Sequence, residues 1–275
     1  MVISLRDDLD QFFSGADAFD AVMNLEGKIF RSMDGRRTLR FTRNGKTYFA
    51  KLHHGVGWKE ILKNLFHLRL PILGARTELR AIERLQELGV ATMTVAGFGS
   101  RGWNPARKQS FIITDELQDT LSLESFCQSW PYHPPSFRMK KALIEQIAGI
   151  ARTLHQNGVN HRDFYICHFL LKVDSSGAPQ DPQNPTLHLI DLHRVQIRRR
   201  TPVRWIIKDL ASLYFSSLNV GLTKRDVLRF VRAYRGSDLR RILSEQDKFW
   251  RRVTRRAVRL YKRDFGISPD LPWPS

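Results

Sequence analysis

The chain predicts an α+β fold in two lobes, an antiparallel five-stranded sheet followed by a mainly helical half. Three observations carry that prediction. Residues 28–52 alternate with period two around Asn44-Gly45, a pair that accepts the positive φ of a two-residue hairpin. From Thr120 onward the apolar period becomes that of helices. The stretch Asn160–Val173, NHRDFYICHFLLKV, reads as a turn, a polar loop and a buried strand. An apolar strand directly after such a loop holds its polar side chains rigidly, as a reacting group requires.

With 275 residues, 42% of them apolar, the chain has enough material for a full core in each lobe. The expected division is residues 1–117 and 118–275, with an inserted segment at 55–74. The net charge of +18 demands an anionic partner: nucleic acid, an anionic membrane face, a phosphorylated substrate or an acidic protein. Charge does not choose among them. Cys127 and Cys167 do not make a disulfide framework, and no Cys/His spacing of zinc type is present. The opening MVISLRDDLDQFF carries acids where a signal peptide needs bases and an apolar run. No run reaches the roughly 20 apolar residues of a membrane span.

In order, residues 1–26 read as a helical lead-in with Phe12, Phe13, Phe19, Val22 and Leu25 as packing residues. Three strands follow, at Lys28–Ser32, Thr38–Arg43 and Thr47–Leu52. The period of the third puts Lys51 on the face opposite Tyr48, Ala50 and Leu52. The segment 55–74 places Trp58, Ile61, Leu62, Leu65 and Phe66 at helical spacing among bases. Such a helix either lies on an anionic membrane or packs on the protein. Residues 75–88 form a helix whose apolar face has Glu78 near its middle. A carboxylate there needs a partner, and Lys51 is the natural one. Thr92–Gly99 and Ser110–Leu117 complete the sheet, and the backbone around Asp115, Glu116 and Leu117 is placed either to meet an adenine edge or to lead plainly into a loop.

The helical half is expected to hold helices at Ser122–Trp130, from Ser136 to Gln156, at Trp205–Leu218, at Lys224–Tyr234 and at about 245–263. Asp163 ends the His-Arg-Asp tripeptide, and His168 follows it by five residues. Asp191 follows a short buried strand, Thr186–Ile190, a place suited to binding a metal. Asp209 lies at the edge of the apolar stripe of its helix.

This order of parts is that of the protein-kinase-like fold. The chain further resembles the lipopolysaccharide core heptose(I) kinase family of Gram-negative bacteria, through RRTLRF at 36–41, LRLPILGA at 68–75, SFIIT at 110–114, GVNHRD at 158–163, YICHFLL at 165–171, IDLHR at 190–194 and LYFSSLNVGLT at 213–223. The resemblance implies transfer of the γ-phosphoryl of ATP, with Mg²⁺, to the 4-hydroxyl of the first heptose of the inner core. It implies that Asp163 is the catalytic base and Arg162 its structural neighbour. Lys51 and Glu78 would position the nucleotide, with Glu116 at the adenine. Asp191 would bind Mg²⁺, and Asp209 would steady the catalytic loop. It also implies a lipid A-core oligosaccharide substrate, reached from the cytoplasm at the anionic cytosolic face of the inner membrane. An acidic protein partner suits the charge, and no nucleic acid is expected.

The sequence departs from protein kinases in several places. His168 stands where they place a metal-binding asparagine, so it either binds a second metal or contacts phosphate. Leu192-His193 follows the metal aspartate, Asp34-Gly35-Arg36-Arg37 replaces a glycine-rich loop, and Phe49 stands where a small residue is usual. These departures keep rival readings open: the same fold acting on an octulosonate sugar, an aminoglycoside or a protein tyrosine, a non-catalytic scaffold, or a nucleic-acid binder supported by charge alone.

Overall fold

The computed structural model describes residues 1–13, 17–33, 35–55, 57–58, 66 and 74–272. Contacts divide the chain into two units. One comprises Met1–Arg84, Met93–Gln118 and Leu192–Arg194, the other Leu85–Thr92, Asp119–Asp191 and Val195–Ser275.

The first unit is built on strands β1 (Val2–Leu5), β2 (Lys28–Met33), β3 (Arg36–Arg43), β4 (Lys46–His53), β5 (Val95–Arg101) and β6 (Gln109–Asp115). They pair in the order β1-β5-β6-β4-β3-β2, each neighbour antiparallel. Among the described residues the sheet therefore has six strands, not the expected five. The additional strand is β1, which runs from Val2 opposite Ser100 to Leu5 opposite Gly97. Four residues on a sheet edge carry too little alternation to stand apart from helix α1 (Asp7–Phe13), which begins two residues later.

The turn between β3 and β4 has both central residues at positive φ, 49° at Asn44 and 74° at Gly45, as a hairpin of this length requires. Beyond it Tyr48, Ala50 and Leu52 point into the core beside Leu39 and Phe41. Helices α1 and α2 (Ala18–Met23) cover this face with Leu9, Phe13, Phe19 and Val22. Phe12, expected inside, is exposed. Helix α3 (Arg76–Glu87) buries Glu78, Ala81, Ile82 and Leu85 and exposes Glu83 and Glu87. The amphipathic helix expected over 55–74 lies, apart from Gly55, Gly57, Trp58, Phe66 and Gly74, outside the described residues.

His53 ends β4 at 7% exposure. Burial, then Arg36 and Lys51, push its imidazole down to about 3. The unfolded chain protonates near pH 6.5, so below that pH it takes up a proton that the fold refuses, and stability falls as pH drops from 6.5 toward 3. At pH 5 the loss from His53 is about 2 kcal/mol. Urea midpoints at pH 7.5 and pH 5 should differ less for His53→Gln than for the wild type; equal differences would remove His53 as the cause.

The second unit contains strands β7 (Thr120–Ser122), β8 (Val159–Asn160), β9 (Phe169–Lys172), β10 (Leu187–Leu189) and β11 (Gln196–Ile197). They form a three-stranded sheet, β10-β9-β7, and a separate β11-β8 pair. Its helices are α4 (Leu123–Phe126), α5 (Phe137–Gln156), α6 (Val203–Ser217), α7 (Lys224–Arg235) and α8 (Leu239–Phe265). The helix expected to reach Trp130 ends early at the C-cap Cys127. Ser136 caps α5 by accepting from Met139 N, and Thr223 and Asp226 form a capping box on α7. Helix α8 starts earlier than the periodicity suggested and carries non-helical backbone at Gln246 (φ −121°, ψ 15°), next to where that periodicity begins.

Leu143, Ile144, Leu213, Val231, Trp250 and Val253 help to line a largely apolar cavity of about 330 Å³ in this unit. Among the described residues no helix is long and apolar enough to cross a membrane.

Candidate functional site

In the first unit, β4 sets Lys51 in register with Thr38 on one side and Ile112 on the other. Glu78 sits in the first turn of α3 at 1% exposure. Lys51 Nζ donates to Glu78 Oε1 at 2.6 Å. A carboxylate this deep requires a polar partner, and the pair fixes the direction of the lysine. At the end of β6, Arg6 grips Asp115 through two hydrogen bonds of 2.7 and 2.8 Å. Arg40 grips Glu116 in the same way, at 2.7 and 2.8 Å. Glu116 N also donates to Thr47 O. The carboxylate and amide of Glu116 are thus engaged within the protein.

In the second unit the chain leaves α5 through Gly158, whose φ is +78° and where a Cβ would sit 1.7 Å from Arg198 O. Glycine is required here by both conformation and space. Strand β8 pairs with β11, with Asn160 opposite Gln196, and the His161-Arg162-Asp163 loop begins. Asp209, fully buried on α6, accepts from His161 N at 2.6 Å and from Arg162 N at 2.8 Å. Arg162 is held at φ +76°, a conformation that costs a non-glycine residue about 1–3 kcal/mol and persists only where neighbours enforce it.

Two histidines tie this loop to the segment carrying Asp191. His161 Nε2–H donates to Ile190 O at 3.0 Å. Burial pushes the His161 imidazole below its usual range, outweighing Asp209, so the ring is neutral. His168 Nδ1–H donates to Asp163 O at 2.7 Å, which leaves Nε2 turned to Asp191 Oδ2, 3.5 Å away. Asp191 is itself at φ +62°. Phe164 is fully buried against the rings of His161 and Phe169 and anchors the loop from below. The Cys167 thiol is pushed up to about 11, chiefly by burial, which suits an inert role.

The structure therefore gathers Arg162, Asp163, His168, Asp191 and Asp209 in one unit, and Lys51, Glu78 and Glu116 in the other. Three contributors were not anticipated. His155 Nε2 lies 3.5 Å from Asp209 Oδ2, and its Nδ1 is 2.9 Å from Tyr234 OH. Ser216 Oγ accepts from Ile166 N at 3.0 Å. A histidine buried near the end of the otherwise apolar face of α5 was the available signal for the first.

The donor set suits Mg²⁺ bound jointly with phosphate. That ion usually takes one or two protein carboxylates and leaves its other positions to substrate oxygens and water. Asp191 is the half-buried carboxylate in place, beside His168 Nε2. No group of three or more His, Cys, Asp or Glu that could hold a metal occurs among the described residues.

Phosphoryl transfer asks little of side chains beyond positioning and charge: a proton acceptor, a metal carboxylate and a cation for the phosphates. The residues of these two units suit that class of enzyme, the phosphotransferases. The chain belongs to the lipopolysaccharide kinase (Kdo/WaaP) family, whose model matches residues 20–234. It is 49% identical over 263 residues to the lipopolysaccharide core heptose(I) kinase WaaP of Pseudomonas aeruginosa, covering 96% of this chain and 97% of that one. To the protein of the same name from Escherichia coli K12 it is 47% identical over 262 residues, covering 95% and 98%. A solved structure of WaaP in complex with acyl carrier protein is similar with a TM-score of 0.81 at 45% identity, covering 95% of this chain and 100% of the other.

Proposed function

We propose that this chain transfers the γ-phosphoryl of ATP to the 4-hydroxyl of the first heptose in the lipopolysaccharide inner core. The observation that carries the proposal is the pinned, strained His161-Arg162-Asp163 loop, tethered through His161 and His168 to the segment bearing Asp191. Full-length similarity to named heptose(I) kinases supplies the acceptor.

Asp163 orients the sugar hydroxyl and accepts its proton as the bond to phosphorus forms and the bond to ADP breaks. Lys51, aimed by Glu78, meets the negative phosphate oxygens. Asp191, with His168 beside it, would hold Mg²⁺. When bound, that ion supplies neutralisation of the charge on the triphosphate. The carbonyl of Glu116 takes the adenine amine.

The substrate is a polyanionic glycolipid at the cytosolic face of the inner membrane, which gives the +18 charge a use. The same charge suits an acidic protein partner. A carrier protein of the kind present with the solved WaaP fits that description, and the apolar cavity is suited to an acyl chain that such a carrier would bring.

Mass spectrometry of lipopolysaccharide from cells with and without this protein tests the function. The expected difference is one phosphate, localised by fragmentation to the first heptose. A phosphate missing from the octulosonate sugar instead, or no difference, would overturn the assignment.

A further inference from the structure

Four cations gather on one aromatic ring in the second unit. Arg162 Cζ lies 5.3 Å from the Trp205 ring centroid, Arg198 Cζ 5.8 Å, Arg204 Cζ 5.6 Å and Lys208 Nζ 5.2 Å. Each cation is attracted by the indole face, but the mutual repulsion of four charges brought this close works against their gathering. The adjoining sequence is itself basic. From Leu192 to Lys208 there are six Lys and Arg residues and no Asp or Glu. Asp209 comes next, but it is buried and turned to the amides of His161 and Arg162.

Among the described residues, Arg198 is held in place by uncharged side chains. Its guanidinium donates to two uncharged amide oxygens, Asn160 Oδ1 at 2.5 Å and Gln196 Oε1 at 2.6 Å. Burial, and then Arg204, lower its pKa from the usual arginine value, as expected for a cation kept near other cations. The β8–β11 pairing and Gly158 N-terminal to it fix where Arg198 stands relative to the loop.

We infer that Arg162, Arg198, Arg204 and Lys208, arrayed around Trp205, form a binding site for an anionic group, carboxylate or phosphate, carried by the sugar acceptor. Arginine forks match both groups in geometry, and the platform fixes their planes. The acceptor is favoured as the source because of chain position. Arg162 immediately precedes Asp163, and Arg198 is bonded to Asn160 just before the loop. A charged group seated here anchors the acceptor by a part that does not react, while a neighbouring hydroxyl is offered to Asp163. Binding energy from a remote part of the substrate is then spent on orientation at the reacting centre. The site thereby selects against neutral sugars.

This inference rests on the proposed kinase reading, and its test separates the two. Arg204 is exposed, so Arg204→Gln leaves the fold unburdened, and Arg198→Gln is added to it. The double variant should raise KM for lipid A-core oligosaccharide about tenfold or more, since charge-assisted contacts are lost, with KM for ATP unchanged. Arg204→Lys should recover part of the loss. Independently of turnover, inorganic phosphate should raise the unfolding temperature of the wild type in a saturable way and fail to do so in the double variant. Acceptor KM unchanged in an active double variant would overturn the inference. Phosphate protection lost with acceptor KM unchanged would identify a free-phosphate site and overturn the acceptor assignment. A wild type that transfers no phosphate would sink the kinase reading instead, and the phosphate titration would still decide whether the cluster binds anions.

Discussion

Asp163→Ala should lower kcat for phosphate transfer by about 10²–10⁴-fold, the usual cost of removing a positioned general base, while the unfolding temperature stays close to that of the wild type. The second half of that expectation follows from how the loop is held. Two hydrogen bonds through Asp163, from His168 Nδ1 at 2.7 Å and from Tyr165 N at 3.0 Å, go to its main-chain carbonyl, which alanine retains. The neighbouring amides are held by Asp209, and Phe164 is anchored by packing. The main-chain hydrogen bonds and packing that hold the loop therefore survive the substitution. Single-turnover transfer from labelled ATP, with circular dichroism as the control for folding, checks both halves. A variant keeping more than about a tenth of wild-type kcat would reject Asp163 as the proton acceptor.

What could be read in the chain was what local pattern and charge economy determine. The β3–β4 hairpin was legible because period two and Asn44-Gly45 agree. Glu78 was legible because a carboxylate on the apolar face of α3 has to find a cation, and β4 supplies Lys51. The first strand was not legible, since four edge residues beside a helix carry no decisive period. The role of Asp209 was legible through the resemblance and not from its own helix, for a different reason. A helical wheel weighs a residue against its own helix, whereas the two amides Asp209 serves come from 48 and 47 residues earlier in the chain. His155 and Tyr234 join the same network from two further helices. Nor does the sequence announce positive φ at Arg162, because arginine has no preference for it and only the surroundings impose it. The run from Arg198 to Arg204 was visible as charge, but the arrival of Arg162 on the same indole ring is a tertiary event.

Asp209→Ala should be the most damaging change to stability near the site, and it should reduce activity even where the protein stays folded. Alanine leaves the N–H groups of His161 and Arg162 without their acceptor. Hydrogen bonds to a charged group contribute about 1.5–3 kcal/mol each, so the two together amount to roughly 3–6 kcal/mol. That is a large part of the 5–15 kcal/mol by which domains are usually stable. The effect on rate has a separate origin. Arg162 is kept at φ +76° against its preference, and the Asp209 bond to its amide is one of the restraints. With that restraint gone the residue can relax to negative φ and carry Asp163, its direct neighbour, out of position. Misplacement of a reacting group by about 1 Å can cost as much as 10²-fold. Asp209→Asn separates the two effects: one amide oxygen still accepts, but the amide NH₂ faces a backbone donor, so stability should fall between those of alanine and wild type. Tyr234→Phe, which removes a single hydrogen bond to His155, should cost less than either. Urea midpoints for the three variants, with kcat measured well below each unfolding transition, test the ordering. Full kcat in a folded Asp209→Ala protein would show that the loop keeps its conformation without this carboxylate.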